Sequence, residues 1–324
     1  TLFIILNFGI IILVKEFAPI IIFAYNRLLH IQKTVSSLLK NREAKNSDLY
    51  IFSDGSKNDN DINEVNEVRK YIYKINGFKK VSIRERNQNF GLGKNITSGV
   101  TEIIEKNSWC IVLEDDLETS PYFLRFMNEG LDRFSDEERV VSIHGYIYPV
   151  KDPLPETFFL KGADCLGWGT WRRGWEYFNS DGKYLLTELK RQNLTKEFDF
   201  NGGYPYTRML EDQVAGKNDS WAVRWYASTF LKEKLSLYPG HSLVRHIGND
   251  GSGTNFGHSS DLDVNLSDNP INITNVKIEH SMGAYKAFQN YFLKISNESP
   301  KKVKNNLKRL VKIIINIFKM LYKK

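Results

Sequence analysis

The first third of the chain alternates two kinds of hydrophobic pattern. Pro19-Ile20-Ile21-Ile22-Phe23-Ala24 is an unbroken apolar run, which predicts a short strand covered on both faces. Leu28, Ile31, Val35, Leu38 and Leu39 then recur at helical spacing. Leu49-Tyr50-Ile51-Phe52 predicts a second strand, and Ile62, Val65, Ile72 and Ile75 a second helix capped by Asp59 or Asn60. Val81-Ser82-Ile83 is a weaker third strand, followed by a helix carrying Ile96, Val100, Ile103 and Ile104. Trp109-Cys110-Ile111-Val112-Leu113 is the fourth strand. The order βαβαβαβ, with crossovers long enough for helices, predicts a mostly parallel sheet flanked by helices.

The second half is less regular. Val140-Val141-Ser142-Ile143 reads as a strand, and 145–170 as turns and prolines with Gly162, Gly167 and Gly169. Helices are expected near 171–178, 184–191, 208–216 and 221–230, a strand at Leu235-Ser236-Leu237, and loops over 248–280. The resulting division is an apolar segment 1–17, a nucleotide-binding half 18–118, an acceptor-binding and catalytic half 119–295, and a basic segment 300–324. Residues 1–14 are nearly all apolar but shorter than a membrane span requires, and they lack the basic start of a signal peptide. A core strand or a shallow membrane contact would each explain them.

Ligands of parallel sheets gather beyond the carboxyl ends of the strands. Four polar groups fall at those ends: Tyr25-Asn26-Arg27, Ser53-Asp54-Gly55, Asn87-Gln88-Asn89 and Glu114-Asp115-Asp116. Three adjacent acids after five apolar residues raise one another's proton affinity unless a cation offsets them. A divalent ion shared with a nucleotide diphosphate is the natural partner. Asp116, furthest into the loop, is the candidate ligand; Asp115 is expected near ribose or donor sugar, with Glu114 bracing the loop. Asp54 can accept from a base or ribose, and Arg27 can fork onto phosphate oxygens. Asn89-Phe90-Gly91-Leu92-Gly93-Lys94-Asn95 is neither a Walker loop nor a dinucleotide fingerprint. It reads as a tight entry to a helix N-terminus facing the donor, with Asn89 and Lys94 in reach of it.

The pattern resembles glycosyltransferases of the GT-A fold, and within them the inverting N-acetylglucosaminyltransferase I type and bacterial surface-polysaccharide enzymes. Ile22-Phe23-Ala24-Tyr25-Asn26-Arg27, Ser53-Asp54-Gly55, Val112 to Glu118, Leu166-Gly167-Trp168-Gly169-Thr170-Trp171 and Asn218-Asp219-Ser220-Trp221 carry the resemblance, over roughly residues 18–250. It implies a UDP-sugar donor, usually Mn²⁺ (or Mg²⁺), metal binding by Asp116, nucleotide binding by Arg27 and Asp54, and a base at the aspartate before the late Trp, Asp219. Where the family often has two adjacent aspartates this chain has Asn218-Asp219, which leaves Glu211-Asp212 as the rival pair. In that scheme the base takes a proton from an acceptor hydroxyl as it attacks C1 of the donor sugar, with inversion. Trp168 and Trp171 could wall an acceptor-sugar pocket, since rings stack on apolar sugar faces, or pack in the core. His246 could bind metal or phosphate or simply cap a turn, and His144 reads as structural.

Charge alters the picture only at the C-terminus. Residues 301–324 hold eight Lys and one Arg and no acid, more than the whole net charge of +7, so the rest is slightly acidic. This excludes a basic nucleic-acid-binding body. Val303, Leu307, Leu310, Val311, Ile314, Phe318 and Leu321 form the apolar stripe of a basic amphipathic helix suited to an anionic membrane surface. Such a helix would bring a cytoplasmic enzyme to the inner face of the membrane and to a glycan or lipid-linked acceptor. Two cysteines make no disulfide scaffold, and Cys110, inside an apolar run, reads as a buried thiol of a reducing compartment. Two other activities share parts of the pattern. A sugar nucleotidyltransferase lacks support because no Gly-rich, Lys/Arg-containing signature follows the first strand. A non-catalytic sugar-binding or scaffolding protein would leave the acids vestigial.

Overall fold

The computed structural model describes residues 2–7, 10–251 and 261–298. Strands β1 (Leu2–Asn7) and β2 (Ile10–Lys15) form an antiparallel hairpin that pairs with no other described strand. The expected α/β repeat follows: β3 (Ile20–Ala24), α1 (Leu28–Leu38), β4 (Asp48–Ser53), α2 (Ile62–Ile72), β5 (Lys80–Glu85), α3 (Leu92–Ile104) and β6 (Trp109–Glu114). These four strands pair in parallel in the order β5-β4-β3-β6.

The apolar run at 20–24 is continuous because both faces of the sheet are covered. Ile20, Ile22 and Ala24 join one core cluster, with Ile31, Val35 and Leu38 of α1. Ile21 and Phe23 point the other way, into a second cluster with Ile96, Val100 and Ile103 of α3. Each such fully buried side chain contributes about 1.5–3 kcal/mol. Cys110 is fully buried in that second cluster, as its apolar setting implies.

The chain continues through β7 (Leu117–Thr119), α4 (Phe123–Arg133), β8 (Val140–His144), β9 (Thr157–Lys161) and β10 (Trp168–Trp171). After these come α5 (Arg172–Trp175), α6 (Gly182–Arg191), α7 (Thr195–Phe198), α8 (Tyr206–Val214), α9 (Trp221–Phe230), β11 (Leu235–Pro239), β12 (Val244–His246) and α10 (Met282–Glu298). The sheet extends past β6 as β10-β8-β11-β9, so both halves of the chain share eight strands. β10 runs antiparallel to β6 and β8, with Trp168 opposite Val112 and His144. The two halves therefore meet inside one sheet.

Two expectations need correction. The stretch 145–170 is not all turn: it holds β9 and the start of β10, whose backbones are almost wholly interior. Neither Asp59 nor Asn60 is the cap: α2 starts from Asp61, which makes no side-chain cap bond, and Asn58 caps the 3-10 turn Asp59–Asp61 that leads into it. Asn58 Oδ1 accepts from Asn60 N, and Asp61 accepts in return from Asn58 N. Among the described residues no helix is long and apolar enough to cross a membrane. The basic helix expected at 300–324 lies outside the described residues.

Candidate active site

Parallel register sets the strand ends side by side. Ala24 lies opposite Ser53, Ser53 opposite Glu85, and Phe23 opposite Glu114. The four polar groups therefore leave the sheet at one edge. Across it runs a second, two-stranded ladder, β7 with β12, in which His246 pairs with Leu117 and Ile247 N donates to Asp116 O at 2.9 Å. This ladder delivers His246 to the triplet: its Nε2 is 3.2 Å from Asp116 Oδ2.

Arg27 is the hub. Its Nη2 donates to Asp116 Oδ2 at 2.8 Å and also to Asp115 Oδ1. Asp115 is 3% exposed, and its other oxygen accepts from Tyr25 N at 3.3 Å. Thr34 Oγ1 donates to the Asp115 carbonyl at 2.8 Å, so α1 fixes the backbone of the triplet. Burial disfavours the Arg27 charge, but Asp115 and Asp116 outweigh it and hold the guanidinium firmly ionised. Burial pushes Asp115 up to about 6 against Arg27, and burial with the charges of Asp116 and Asp115 pushes Glu114 up to about 8. Burial opposes ionisation of Asp116 as well. There the hydrogen bond from His246 and the Arg27 charge win and hold its carboxyl at about 2. Of the three acids, Asp116 is the one whose ionised form is held most firmly.

Among the described residues no group of three His, Cys, Asp or Glu side chains is placed to hold a metal ion. The residues present still fit a divalent cation bound jointly with a diphosphate. Asp116 supplies a hard anionic oxygen, His246 a nitrogen beside it, and phosphate oxygens would complete the shell. Gly248 makes room for this: a Cβ there would overlap the Asp116 carboxylate and sit 3.0 Å from His246 Nε2. Gly248→Ala is expected to displace Asp116 and lower turnover about 10²-fold. Kinetics alongside a melting curve check it; unchanged turnover in a folded variant would show that the loop simply gives way.

Asp54 and Asn89 do something other than expected. Asp54 Oδ1 accepts from Gly55 N at 2.9 Å and Phe90 N at 2.8 Å. Its Oδ2 accepts from Gly91 N at 3.0 Å and Asn89 Nδ2 at 3.3 Å. A carboxylate offers about four acceptor sites, so Asp54 is filled by its own protein. Asn89 Nδ2 also donates to Gly55 O at 2.8 Å. The pair shapes the loop entering α3 and reaches a nucleotide only through that loop. Lys94 is exposed, with its ammonium 4.3 Å over the Phe90 ring. Arg69, which the sequence did not single out, ties the same loops together by donating to Asp54 O at 3.3 Å and Arg86 O at 2.9 Å.

The rival bases part company. Asp219 leaves the second half of the chain to lie against the N-terminus of α3. A Cβ at Gly93 would be 2.7 Å from Asp219 Oδ2, so glycine there lets the carboxylate approach. Its side chain is 65% exposed and lies 3.4 Å from Arg224 Nη2. Asp212 on α8 is paired instead with Arg208 at 3.2 Å and Lys217 at 3.3 Å, and no described contact joins it to the triplet or to α3.

The two tryptophans are core residues. Trp168 is fully buried, its ring centroid 5.5 Å from Trp221, 5.7 Å from Trp175 and 5.9 Å from Trp225. Trp171 is 4% exposed, donates to Leu131 O at 3.0 Å and carries the Arg173 guanidinium over its ring. Neither offers a free face to a sugar. His144 is fully buried, as a structural histidine would be.

The family described as glycosyl transferase family 2 matches residues 20–181, half of the chain and all four strands β3 to β6. No curated protein matches by sequence. Among solved structures, TarS of S. aureus is similar at 17% identity and a TM-score of 0.30, over 55% of this chain and 29% of that one. The mannosyltransferase PcManGT from Pyrobaculum calidifontis, in complex with GDP-Man and Mn²⁺, is similar at 10% identity and a TM-score of 0.37, over 66% and 74%. A putative nucleotide-diphospho-sugar transferase from Desulfovibrio desulfuricans G20 is similar at 10% identity and a TM-score of 0.32, over 51% and 69%. The chain thus spans under a third of TarS.

Proposed function

Because the chain belongs to glycosyl transferase family 2 and is a GT-A fold glycosyltransferase, we propose that it moves a sugar from a UDP-linked donor to a hydroxyl of a glycan or lipid-linked acceptor, with inversion and with Mn²⁺ or Mg²⁺. One observation carries this reading. Arg27, Asp115, Asp116 and His246 converge at the edge of the parallel strands.

In this reading Asp116 and His246 would hold the cation, which would supply positive charge beside the departing diphosphate. Arg27 turns from Asp116 toward the phosphates, whose oxygens match its forked donors. Asp115 keeps Arg27 oriented while that happens. The N-terminus of α3 adds a positive dipole end facing the donor. Asp219, exposed beside that helix end, takes the proton of the attacking hydroxyl. Assembly of a surface polysaccharide or lipooligosaccharide is the setting we propose. The basic segment 301–324 would hold the enzyme to the anionic cytoplasmic face of the membrane.

Thermal shifts with UDP- and GDP-sugars, with and without Mn²⁺, test the donor and the metal together. A ligand at 100 times its Kd stabilises the native state by about 2.7 kcal/mol. A UDP-sugar shift that requires Mn²⁺ is expected; a panel that shifts nothing would defeat the reading. Asp219→Asn is expected to lower kcat by about 10²–10⁴-fold while leaving the donor shift intact. Asp212→Asn is expected to leave kcat near wild type, and the reverse pattern would move the base to α8.

A further inference from the structure

The antiparallel entry of β10 brings a second polar group to the edge where β6 ends. Because Trp168 pairs with both Val112 and His144, the loop Asp164-Cys165-Leu166 emerges beside Glu114 and beside the end of β8. Gly167, next in line, packs on Val244, two residues before His246. The thiol of Cys165 is raised by burial and by the charges of Asp164, Glu114 and Asp116, which places the loop in electrostatic reach of the triplet.

Asp164 is an unusual residue to find there. Its side chain is 18% exposed. Oδ1 accepts from Cys165 N at 2.8 Å and Oδ2 from the Tyr148 hydroxyl at 3.2 Å. The Tyr148 hydroxyl lies 3.5 Å from that of Tyr206, and the Tyr204 and Tyr206 rings are 4.5 Å apart. Behind the carboxylate stands His144, fully buried, its Nε2 3.7 Å from Asp164 Oδ2. Neither His144 ring nitrogen has a hydrogen-bond partner. Burial holds this imidazole down at about 4 despite Asp164, so it is neutral and brings one N–H and one lone pair. A buried polar group left unpaired costs about 1–3 kcal/mol. A carboxylate ringed by tyrosines and backed by that unpaired imidazole needs a polar guest to complete it.

We propose that Asp164, Tyr148 and Tyr206, backed by His144, form a monosaccharide-binding subsite that reads neighbouring hydroxyls of a pyranose. The chemistry selects this ligand. A carboxylate accepts from two adjacent hydroxyls, and the Tyr148 and Tyr206 hydroxyls can give or take, while their rings are packed among other aromatics and hold those hydroxyls in place. A phosphate is disfavoured by the Asp164 charge. Burial and that same charge push the Tyr148 and Tyr206 hydroxyls well up, so both stay protonated. Only the identity of the sugar, donor ring or acceptor ring, rests on the transferase reading.

The test separates the two. Saturation-transfer NMR with methyl glycosides of glucose, galactose, mannose and N-acetylglucosamine, in the presence of UDP, is expected to show one bound by the wild type. Asp164→Asn and, with only a hydroxyl removed, Tyr148→Phe are each expected to weaken it about tenfold, the loss of one hydrogen bond involving a charge. Affinity for UDP alone should stay within twofold, whether or not UDP binds through the triplet. If the ring belongs to the donor, the same variants lose affinity for the UDP-sugar but not for UDP. If it belongs to the acceptor, they raise the acceptor KM and leave UDP-sugar affinity unchanged. The subsite is overturned if no glycoside is saturated in the wild type, or if a folded Tyr148→Phe protein binds it undiminished. Failure of UDP to bind, with glycoside binding intact, would sink the donor reading and leave the subsite standing.

Discussion

Asp116→Ala should remove at least about 10²–10³-fold of turnover, the scale of losing one preorganised electrostatic group. The reason is that two interactions end on one oxygen. Arg27 Nη2 at 2.8 Å and His246 Nε2 at 3.2 Å both meet Asp116 Oδ2, and Gly248 exists as glycine to clear space for it. Without that carboxylate Arg27 collapses onto Asp115, and His246 has no anion to share a cation with. Removing one member of a buried charge group also costs about 3–5 kcal/mol of stability, so a loss of activity alone does not decide the matter. Asp116→Asn keeps the shape and a neutral acceptor. If the acid serves a metal and a diphosphate, the Asn variant stays folded, and the Mn²⁺-dependent part of the donor shift disappears. If the acid only anchors Arg27, the Asn variant keeps both its metal response and most of its turnover.

The two central parallel strands were legible because their burial is nearly total. Ile20 to Ala24 and Trp109 to Leu113 are each buried on both faces, so the pattern itself is a run with nothing to confuse it. β9 and β10 were not legible for a related reason. Trp168-Gly169-Thr170-Trp171 is equally buried, but its glycine and its neighbour Gly167 carry the marks of a turn. Gly169 is tolerated inside the strand because Met127 Cε and Cys110 O approach it to 3.0 and 3.1 Å of where a Cβ would stand, a contact made by residues far away in sequence. The site shows the same division. Strand-end acids could be read from position, since parallel register forces them together. That Asp54 turns back to hold Phe90 and Gly91, instead of facing a nucleotide, depends on loop geometry that no spacing encodes. The Asp164 group was invisible for a third reason. His144, Tyr148, Asp164 and Tyr206 lie on four separate elements and loops, and only the antiparallel insertion of β10 gathers them.

The same insertion makes Trp168 a decisive residue for the fold. Trp168→Ala should cost about 3–5 kcal/mol, the usual penalty for deleting a large buried aromatic. Trp168 touches Trp175, Trp221 and Trp225, and belongs to the cluster that also holds Phe23, Ile96 and Val112. It is thus where β10, α5, α9 and the α3 side of the parallel sheet meet. The three remaining indole rings are too rigid to refill the space of the missing one, so the cavity persists and its wall loses dispersion contacts outright. Against a total stability of roughly 5–15 kcal/mol the loss is large, and a fall in Tm of roughly 10 °C follows for a chain of this size. Urea unfolding read by tryptophan emission measures it. A ring that served as a sugar platform would behave oppositely, with stability held and the acceptor KM raised. The expected outcome is lowered stability in Trp168→Ala with much of it recovered in Trp168→Phe, because what this position supplies is filled volume between the two halves of the sheet. Asp219 begins the turn into α9, and Trp221 in that helix leans on Trp168. Loosening the cluster therefore also loosens the carboxylate against α3, and the Ala variant should lose kcat along with its stability.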